Sequence, residues 1–343
     1  MMALVKESPG PGLTYREVPV PVPGAGEALV RVVNASVCGT DSIIYDWEPW
    51  AERRMTTLPR ITGHEVAGVI ESVGHGVTGY TPGTRVSAES HYFCGSCYQC
   101  RTGRREVCRA MRIMGVDADG AFARYIVVPA VNLWKNHPDI PDRVASLQEP
   151  LGNAVDTVQA EDVTGKWVLI TGAGPMGLMC LAVAKAAGAY RVIVTDPNEY
   201  RLELAERMGA DIVVNPNVMP LSGPVLTATS GNGVDVLLEI SGSSAALHEA
   251  LPLVTPGGRV SLLGIFGGEV SLRLNEDVIF KKLRVYGITG RIAFSTWHTV
   301  SRLLSSGQLD MAPLITHEFH ISDYEKAFEL MRTGRCGKVV FGV

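Results

Sequence analysis

A chain of 343 residues with 46% hydrophobic side chains carries enough apolar material for two packed domains, which excludes a disordered protein. Thirty-one basic against 35 acidic residues leave a net charge of −4, so nothing in the charge balance favours nucleic acid or an anionic membrane as partner. No apolar run approaches the roughly 20 residues of a membrane span, and the opening Met-Met-Ala-Leu-Val-Lys-Glu lacks the basic-then-apolar pattern of a secretion signal, so a cytoplasmic protein is expected.

Residues 1 to about 140 are rich in short strands and turns. Glu27-Ala-Leu-Val-Arg-Val-Val33 alternates as a half-buried strand does, and Val66 to Val73 is a second strand candidate. Glycine and proline recur between them, at Gly24, Gly26, Gly74, Gly76, Pro82 and Gly83, which predicts a compact, irregular β domain. Cys38 sits in Ser36-Val-Cys-Gly-Thr-Asp41, and His64 with Glu65 in Thr62-Gly-His-Glu-Val-Ala-Gly68. Taken singly, each has an ordinary reading as a core or surface residue. Taken together, mixed sulfur, nitrogen and oxygen donors with an open position would suit a catalytic zinc.

Four of the seven cysteines then crowd into one short stretch: Cys94, Cys97, Cys100 and Cys108. An odd count argues against a disulfide framework. Four thiolates satisfy tetrahedral zinc and leave no position for substrate, so this lobe reads as a structural zinc site; redox thiols or an iron–sulfur site are the alternatives. Arg101, Arg104 and Arg105 lie beside the thiols and can offset their charge.

From about 141 to 294 the pattern changes to alternating strand and helix. Glu149, in Leu147-Gln-Glu-Pro-Leu-Gly152, stands at the handover. Strands are expected at 166–171, 191–196, 212–214, 234–240, 259–263 and 283–288, with helices between most of them, such as 199–208 and 245–251. Such an order implies a doubly wound parallel sheet. Its first turn holds Gly172, Gly174 and Gly177, the G-x-G-x-x-G spacing that lets a backbone approach a pyrophosphate at a helix N-terminus. Pro175 suits the first helical turn, and Gly188 can cap the far end. Asp196 ends the second strand, close to the spacing of a carboxylate that binds an adenosine ribose diol, although it could also cap the next helix. A carboxylate there repels a 2′-phosphate, so NAD is expected over NADP. Residues 295–343 leave this pattern: helices at 296–306 and 322–332 and a closing strand at 338–341 suggest a return to the first domain.

Over nearly its whole length the chain resembles the zinc-dependent medium-chain alcohol dehydrogenases. The resemblance is carried by Val37-Cys-Gly-Thr-Asp41, Gly63-His-Glu65, the four-cysteine lobe, Glu149-Pro-Leu-Gly-Asn-Ala154, Gly172-Ala-Gly-Pro-Met-Gly177 and Asp196-Pro-Asn-Glu-Tyr-Arg-Leu202. Tyr45-x-Trp47-x-x-Trp50-Ala51 and Leu314-Ile-Thr-His317 are similar to the branch acting on L-threonine. The resemblance implies an α/β protein with a Rossmann sheet (141–294) inserted in a mostly-β GroES-like catalytic domain (1–140 and 295–343). It implies a catalytic zinc on Cys38, His64 and Glu65, with Glu149 a fourth ligand or a nearby switching carboxylate, and a structural zinc on the four-cysteine lobe. Cofactor contacts are implied for Met176 beside the three glycines, for Asp196 and Arg201, for Leu263, Gly264 and Ile265, and for Ile288 and Thr289, with Arg291 in reach. A homotetramer is implied as well. The activity implied is oxidation of the L-threonine 3-hydroxyl with hydride transfer to NAD, giving 2-amino-3-oxobutanoate, with Thr40 taking the hydroxyl proton.

Two departures from the family pattern bear on the substrate. Ile43 stands where the family places a relay histidine, leaving Ser42 or water to take over, and Asp156 stands where the family has histidine in Asn-Ala-Val-His. A polyol or secondary-alcohol dehydrogenase on the same scaffold is therefore the alternative, and a non-catalytic zinc and NAD binder a minor one. His91 matches a histidine near the family's substrate; Trp47 and Trp50 read as packing residues or as a pocket wall.

Overall fold

The computed structural model describes all 343 residues. Its mostly-β part is built on the long strand Glu27–Ser36. This strand pairs antiparallel with Glu65–Val73, which pairs in turn with Arg85–Ala88 and then Leu133–Lys135. Its other edge is shared: residues 27–31 pair with Tyr125–Pro129, and residues 34–36 pair with the closing strand Lys338–Gly342. Ile315–His320 lies parallel to that closing strand at the sheet edge. The alternation expected for 27–33 is broken: Ala28, Leu29 and Val30 are all buried, and the pairing with Glu65–Val73 slips between Leu29 and Val30 and between Val32 and Asn34. A strand covered on both faces has no polar side to preserve.

The register of this sheet delivers the site. Ser36 is paired with Glu65 on one side and with Val340 on the other. Cys38 follows two residues beyond Ser36, and Lys338 opens the closing strand. Residues 300 positions apart in sequence are thus brought to one sheet end by backbone pairing.

The second unit is a six-stranded parallel sheet in the order Ile212–Val214, Arg191–Thr195, Trp167–Thr171, Val234–Glu239, Val254–Leu262, Arg284–Gly287. All six expected strands are present within two residues at most bounds; the fifth begins earlier, because Gly257 and Gly258 lie inside it as an irregularity rather than in a turn. Strand order reverses between Trp167–Thr171 and Val234–Glu239, which opens a crevice at their C-terminal ends. Val168 and Ile170 face one core layer and Leu169 the other, as befits strands buried on both faces.

The glycine turn works as the spacing requires. Gly172 has φ +94°, in the left-handed region. A Cβ on Gly177 would lie 1.8 Å from the Gly172 carbonyl oxygen, so the helix Pro175–Ala186 can sit against the strand only without one. At Gly174 a Cβ would meet nothing nearer than Arg201 Nη1 at 4.0 Å, so the turn opens onto free space there. At the far end Gly188, with φ +84°, closes the helix as expected.

One helix was not legible beforehand. Gln148–Val158 contains Pro150 and Gly152, both poor helix formers. Pro150 falls in the first turn, where no N–H is missed. Gly152 is required because a Cβ there would stand 2.6 Å from Arg291 Cδ. This helix packs between Pro175–Ala186 and Ser295–Ser305, so the first helix of the tail lies on the parallel-sheet unit before the chain returns to the β sheet. No helix is long and apolar enough to cross a membrane.

Gly177→Ala is expected to lower stability by about 1–3 kcal/mol, because backbone must move to admit the methyl group. An unchanged chemical-denaturation midpoint would contradict the close approach of helix and strand.

Candidate functional site

A cleft of about 770 Å³ runs between the two units. Its floor includes Cys38, Glu65 and Lys338, and its far wall includes Gly174, Met176 and Asp196. Ligand atoms of Cys38, His64 and Glu65 all lie within 4.8 Å of one another, as do those of Cys94, Cys97, Cys100 and Cys108. The backbone thus assembles both groups of donors that the sequence had scattered.

The four-cysteine lobe fits zinc in detail. Sγ of Cys108 stands 3.6 Å from that of Cys94 and 3.8 Å from that of Cys97. Four sulfurs at the usual 2.3 Å from a tetrahedral zinc would be about 3.8 Å apart. Backbone N–H groups are already aimed at the sulfurs: Cys97 N donates to Cys94 Sγ at 3.4 Å, and Cys94 N to Cys108 Sγ at 3.3 Å. Backbone N–H groups of Ser96 and Cys97 pull the Cys94 thiol down to about 6, while burial pushes that of Cys100 up to about 12. Only a cation in their midst would bring all four to the same thiolate form.

In the second group each candidate donor is backed by a further buried side chain or backbone contact. Asp41, at the third position of helix Gly39–Asp46, accepts from the Cys38 N–H at 2.8 Å and so fixes the helix start. Its other oxygen faces His64 Nδ1 at 3.6 Å. A carboxylate behind one ring nitrogen orients the imidazole and leaves Nε2 to a metal. Glu65, fully buried, is gripped by Lys338 Nζ at 2.6–2.7 Å from both oxygens and accepts from Ser36 Oγ. Glu149 stands outside this group: its Oε1 accepts from Ser90 Oγ at 2.6 Å and pairs with Arg291 Nη1 at 2.9 Å.

Charge counting supports a cation here. Asp41, Glu65, Glu89 and Glu149 are buried around the floor, against only two buried cations, Arg291 and Lys338. The excess of negative charge favours a bound cation or, in its place, a proton on His64. It registers in His64: burial disfavours the imidazolium, yet the charges of Asp41 and Cys38 overcome it and hold the pKa well above the ordinary value. His91 is different. Burial, and then the Arg291 charge, lower its pKa to about 4, so it is neutral at physiological pH.

Of the other predicted positions, Gly172, Gly174, Met176, Gly177, Asp196 and Arg201 line the cleft, whereas Leu263, Gly264, Ile265, Ile288, Thr289 and Arg291 are not in its lining. Thr40 Oγ1 is 3.8 Å from Cys38 Sγ. Ser42 lines the cleft, whereas Ile43 packs into an apolar cluster with Ile44, Ala51 and Met55, where Trp47 and Trp50 lie too. The two tryptophans are therefore packing residues. Asp196 accepts from Ala173 N and Asn198 N, both at 2.8 Å, with Arg201 Nη1 at 3.8 Å. Asn198 rather than Asp196 caps the next helix. Leu263 and Gly264 both donate to the Glu239 carbonyl, leaving Ile265 exposed, and Ile288 N donates to Leu262 O, leaving Thr289 exposed beyond it. Arg291 is buried and faces the carboxylates instead of the cleft.

Asp41, Lys338, Ser36 and Glu89 escaped notice in the sequence. Only Asp41 carried a local signal, its position three residues after Cys38.

Comparison with known proteins places this arrangement. Residues 24–142 match the model of the alcohol dehydrogenase GroES-like domain, and residues 175–306 that of the zinc-binding dehydrogenase. The chain is 55% identical over 342 residues to the L-threonine 3-dehydrogenase of Pyrococcus horikoshii, covering 99% of this chain and 98% of that one. It is 46% identical over 340 residues to the L-threonine 3-dehydrogenase of Bacillus subtilis, with the same shares covered. Among solved structures, an Escherichia coli CFT073 alcohol dehydrogenase complexed with NADH superposes with a TM-score of 0.92 at 33% identity, covering 100% of this chain and 99% of that one.

Two zinc ions per chain are expected by elemental analysis. Cys100→Ser should lose the ion of the lobe and Cys38→Ser the other, each leaving about one. A Cys38→Ser protein that still holds two would remove Cys38 from the ligand set.

Proposed function

This chain belongs to the zinc-dependent alcohol dehydrogenase family, and we propose that within it the protein is an L-threonine 3-dehydrogenase, oxidising the 3-hydroxyl of L-threonine with NAD to give 2-amino-3-oxobutanoate. The observation that carries this reading is that Cys38 and Glu65 line the same cleft as the Gly172–Gly177 turn, with His64 beside them. Zinc on Cys38, His64 and Glu65 would supply a Lewis acid that lowers the pKa of the substrate hydroxyl, and NAD the hydride acceptor.

The chain's own residues do the positioning. Asp41 holds the His64 ring, and Lys338 with Ser36 holds Glu65 from behind. Thr40 Oγ1, beside Cys38 Sγ, takes the hydroxyl proton by hydrogen bond; Ser42 or water carries it onward, since Ile43 cannot. Neutral His91 accepts or donates a hydrogen bond at the substrate end without adding charge. On the far wall Gly174 leaves room for a pyrophosphate. Asp196 presents a carboxylate to the adenosine ribose, which favours NAD over its 2′-phosphorylated form, and Arg201 stands beside it.

We also infer a homo-oligomer, in keeping with a tetramer. Strand Arg284–Gly287 ends the parallel sheet, and Val285, Ile279 and Phe280 are 46%, 61% and 76% exposed around it. An open strand edge with apolar neighbours suits a second copy, and a monomer mass by light scattering would remove this inference. None of the seven cysteines is joined in a disulfide, which fits a cytoplasmic location.

Zinc-loaded protein with NAD and L-threonine should produce reduced nicotinamide, with kcat/KM at least about tenfold lower with NADP. No turnover of L-threonine alongside turnover of sorbitol or butanediol would instead identify a polyol dehydrogenase.

A further inference from the structure

A second cavity, of about 480 Å³, opens in the β unit and shares no lining residue with the cleft. The strand Arg60–Ile61 forms one wall and runs directly into Thr62, Gly63 and His64. Tyr92 forms another, in the short strand His91–Tyr92, where it pairs with Arg112. Gly120 closes the back. Its N–H donates to Ile61 O at 2.8 Å, and a Cβ there would stand 2.2 Å from Gly63 O. The cavity therefore lies behind the segments that carry His64 and His91.

The polar groups of its lining divide into spent and unspent. Arg16 pairs with Glu7, Arg60 Nη1 pairs with Asp119 at 3.2 Å, and the Met1 amine donates to Val18 O at 2.6 Å. Two charges are left over. Arg112 is exposed and enters no ion pair, and the Glu27 carboxylate accepts only the Gly24 N–H, at 2.9 Å. Tyr92 Oη and Arg60 Nε, both donors, are buried without a hydrogen-bond partner. The rest of the wall is largely apolar, with Val5, Val18, Ile61 and Val127. A free guanidinium beside a phenol answers a carboxylate, a free carboxylate answers an ammonium, and the apolar wall answers a hydrocarbon group.

We propose that this cavity is a second ligand site, for a zwitterionic amino acid with a large apolar side chain. Arg112 and the Tyr92 hydroxyl receive its carboxylate, and Glu27 receives its ammonium. A ligand lacking one of the two charges fills the same space but leaves a protein charge covered and unpaired, which costs affinity.

The test is titration calorimetry with L-phenylalanine, 3-phenylpropionate and phenethylamine, which share one ring and differ in the charges they carry. Zinc-loaded wild type should bind phenylalanine with Kd of about 1 mM or below. Both single-charge compounds should bind about tenfold more weakly or worse. Cys38→Ser, which disables the cleft, should bind phenylalanine as the wild type does. Arg112→Gln, a change at an exposed position, should weaken it about tenfold or more, and Glu27→Gln should do likewise. No binding by the wild type overturns the site. So does binding lost in Cys38→Ser but kept in Arg112→Gln, which would place the amino acid in the cleft. Equal affinity for a single-charge compound overturns the recognition of a zwitterion.

Discussion

One guanidinium holds the cleft in shape. Arg291, 1% exposed, donates from Nε to Glu89 at 2.8 Å, from Nη2 to Ser90 Oγ at 2.8 Å and to Glu89, and from Nη1 to Asn153 at 3.1 Å while pairing with Glu149. Trp297 Nε1 adds a donor to Glu89 at 2.8 Å. Glu89 and Ser90 come from the β unit, Glu149 and Asn153 from the helix that leads into the parallel sheet, and Trp297 from the returning tail. The planar fork of arginine can meet all of these at once, which an ammonium cannot. Buried pairs of this kind are no bonus over a well-packed apolar core, but removing one member strands the other at about 3–5 kcal/mol. The arrangement is therefore all-or-none, and it fixes Glu149 on Arg291 and Ser90, outside the group formed by Cys38, His64 and Glu65.

The same logic of paired buried charges runs through the floor. Glu65 is held from behind by Lys338, and His64 by Asp41, so each donor's direction is set by a partner of opposite or complementary character. Chemistry that depends on sharing one alcohol carbon between an electrophile and a nicotinamide tolerates little slack. Packing each ligand against a second charge removes that slack.

What was legible in the sequence was local. The glycine turn, the six parallel strands and the four-cysteine lobe declare themselves through spacing within a few residues, because the backbone angles and ligand geometry they need are met locally. What was not legible was set by pairing across the chain. Lys338 reaches Glu65 only because the closing strand joins residues 34–36, and Arg291 reaches Glu89 only because two units close on one another. The helix Gln148–Val158 hid behind Pro150 and Gly152, and Gly152 turned out to be there for Arg291. Ile43, a departure in sequence terms, is simply absorbed into an apolar cluster.

The most direct measurement is on Arg291→Lys, which keeps the charge and loses the fork. The expected protein is folded and binds two zinc ions, but its unfolding free energy falls by about 3 kcal/mol and its turnover drops, because one ammonium cannot satisfy Glu89, Ser90, Asn153 and Glu149 together. A lysine variant as stable and as active as the parent would show that charge alone suffices there and that the cleft does not hang on this side chain.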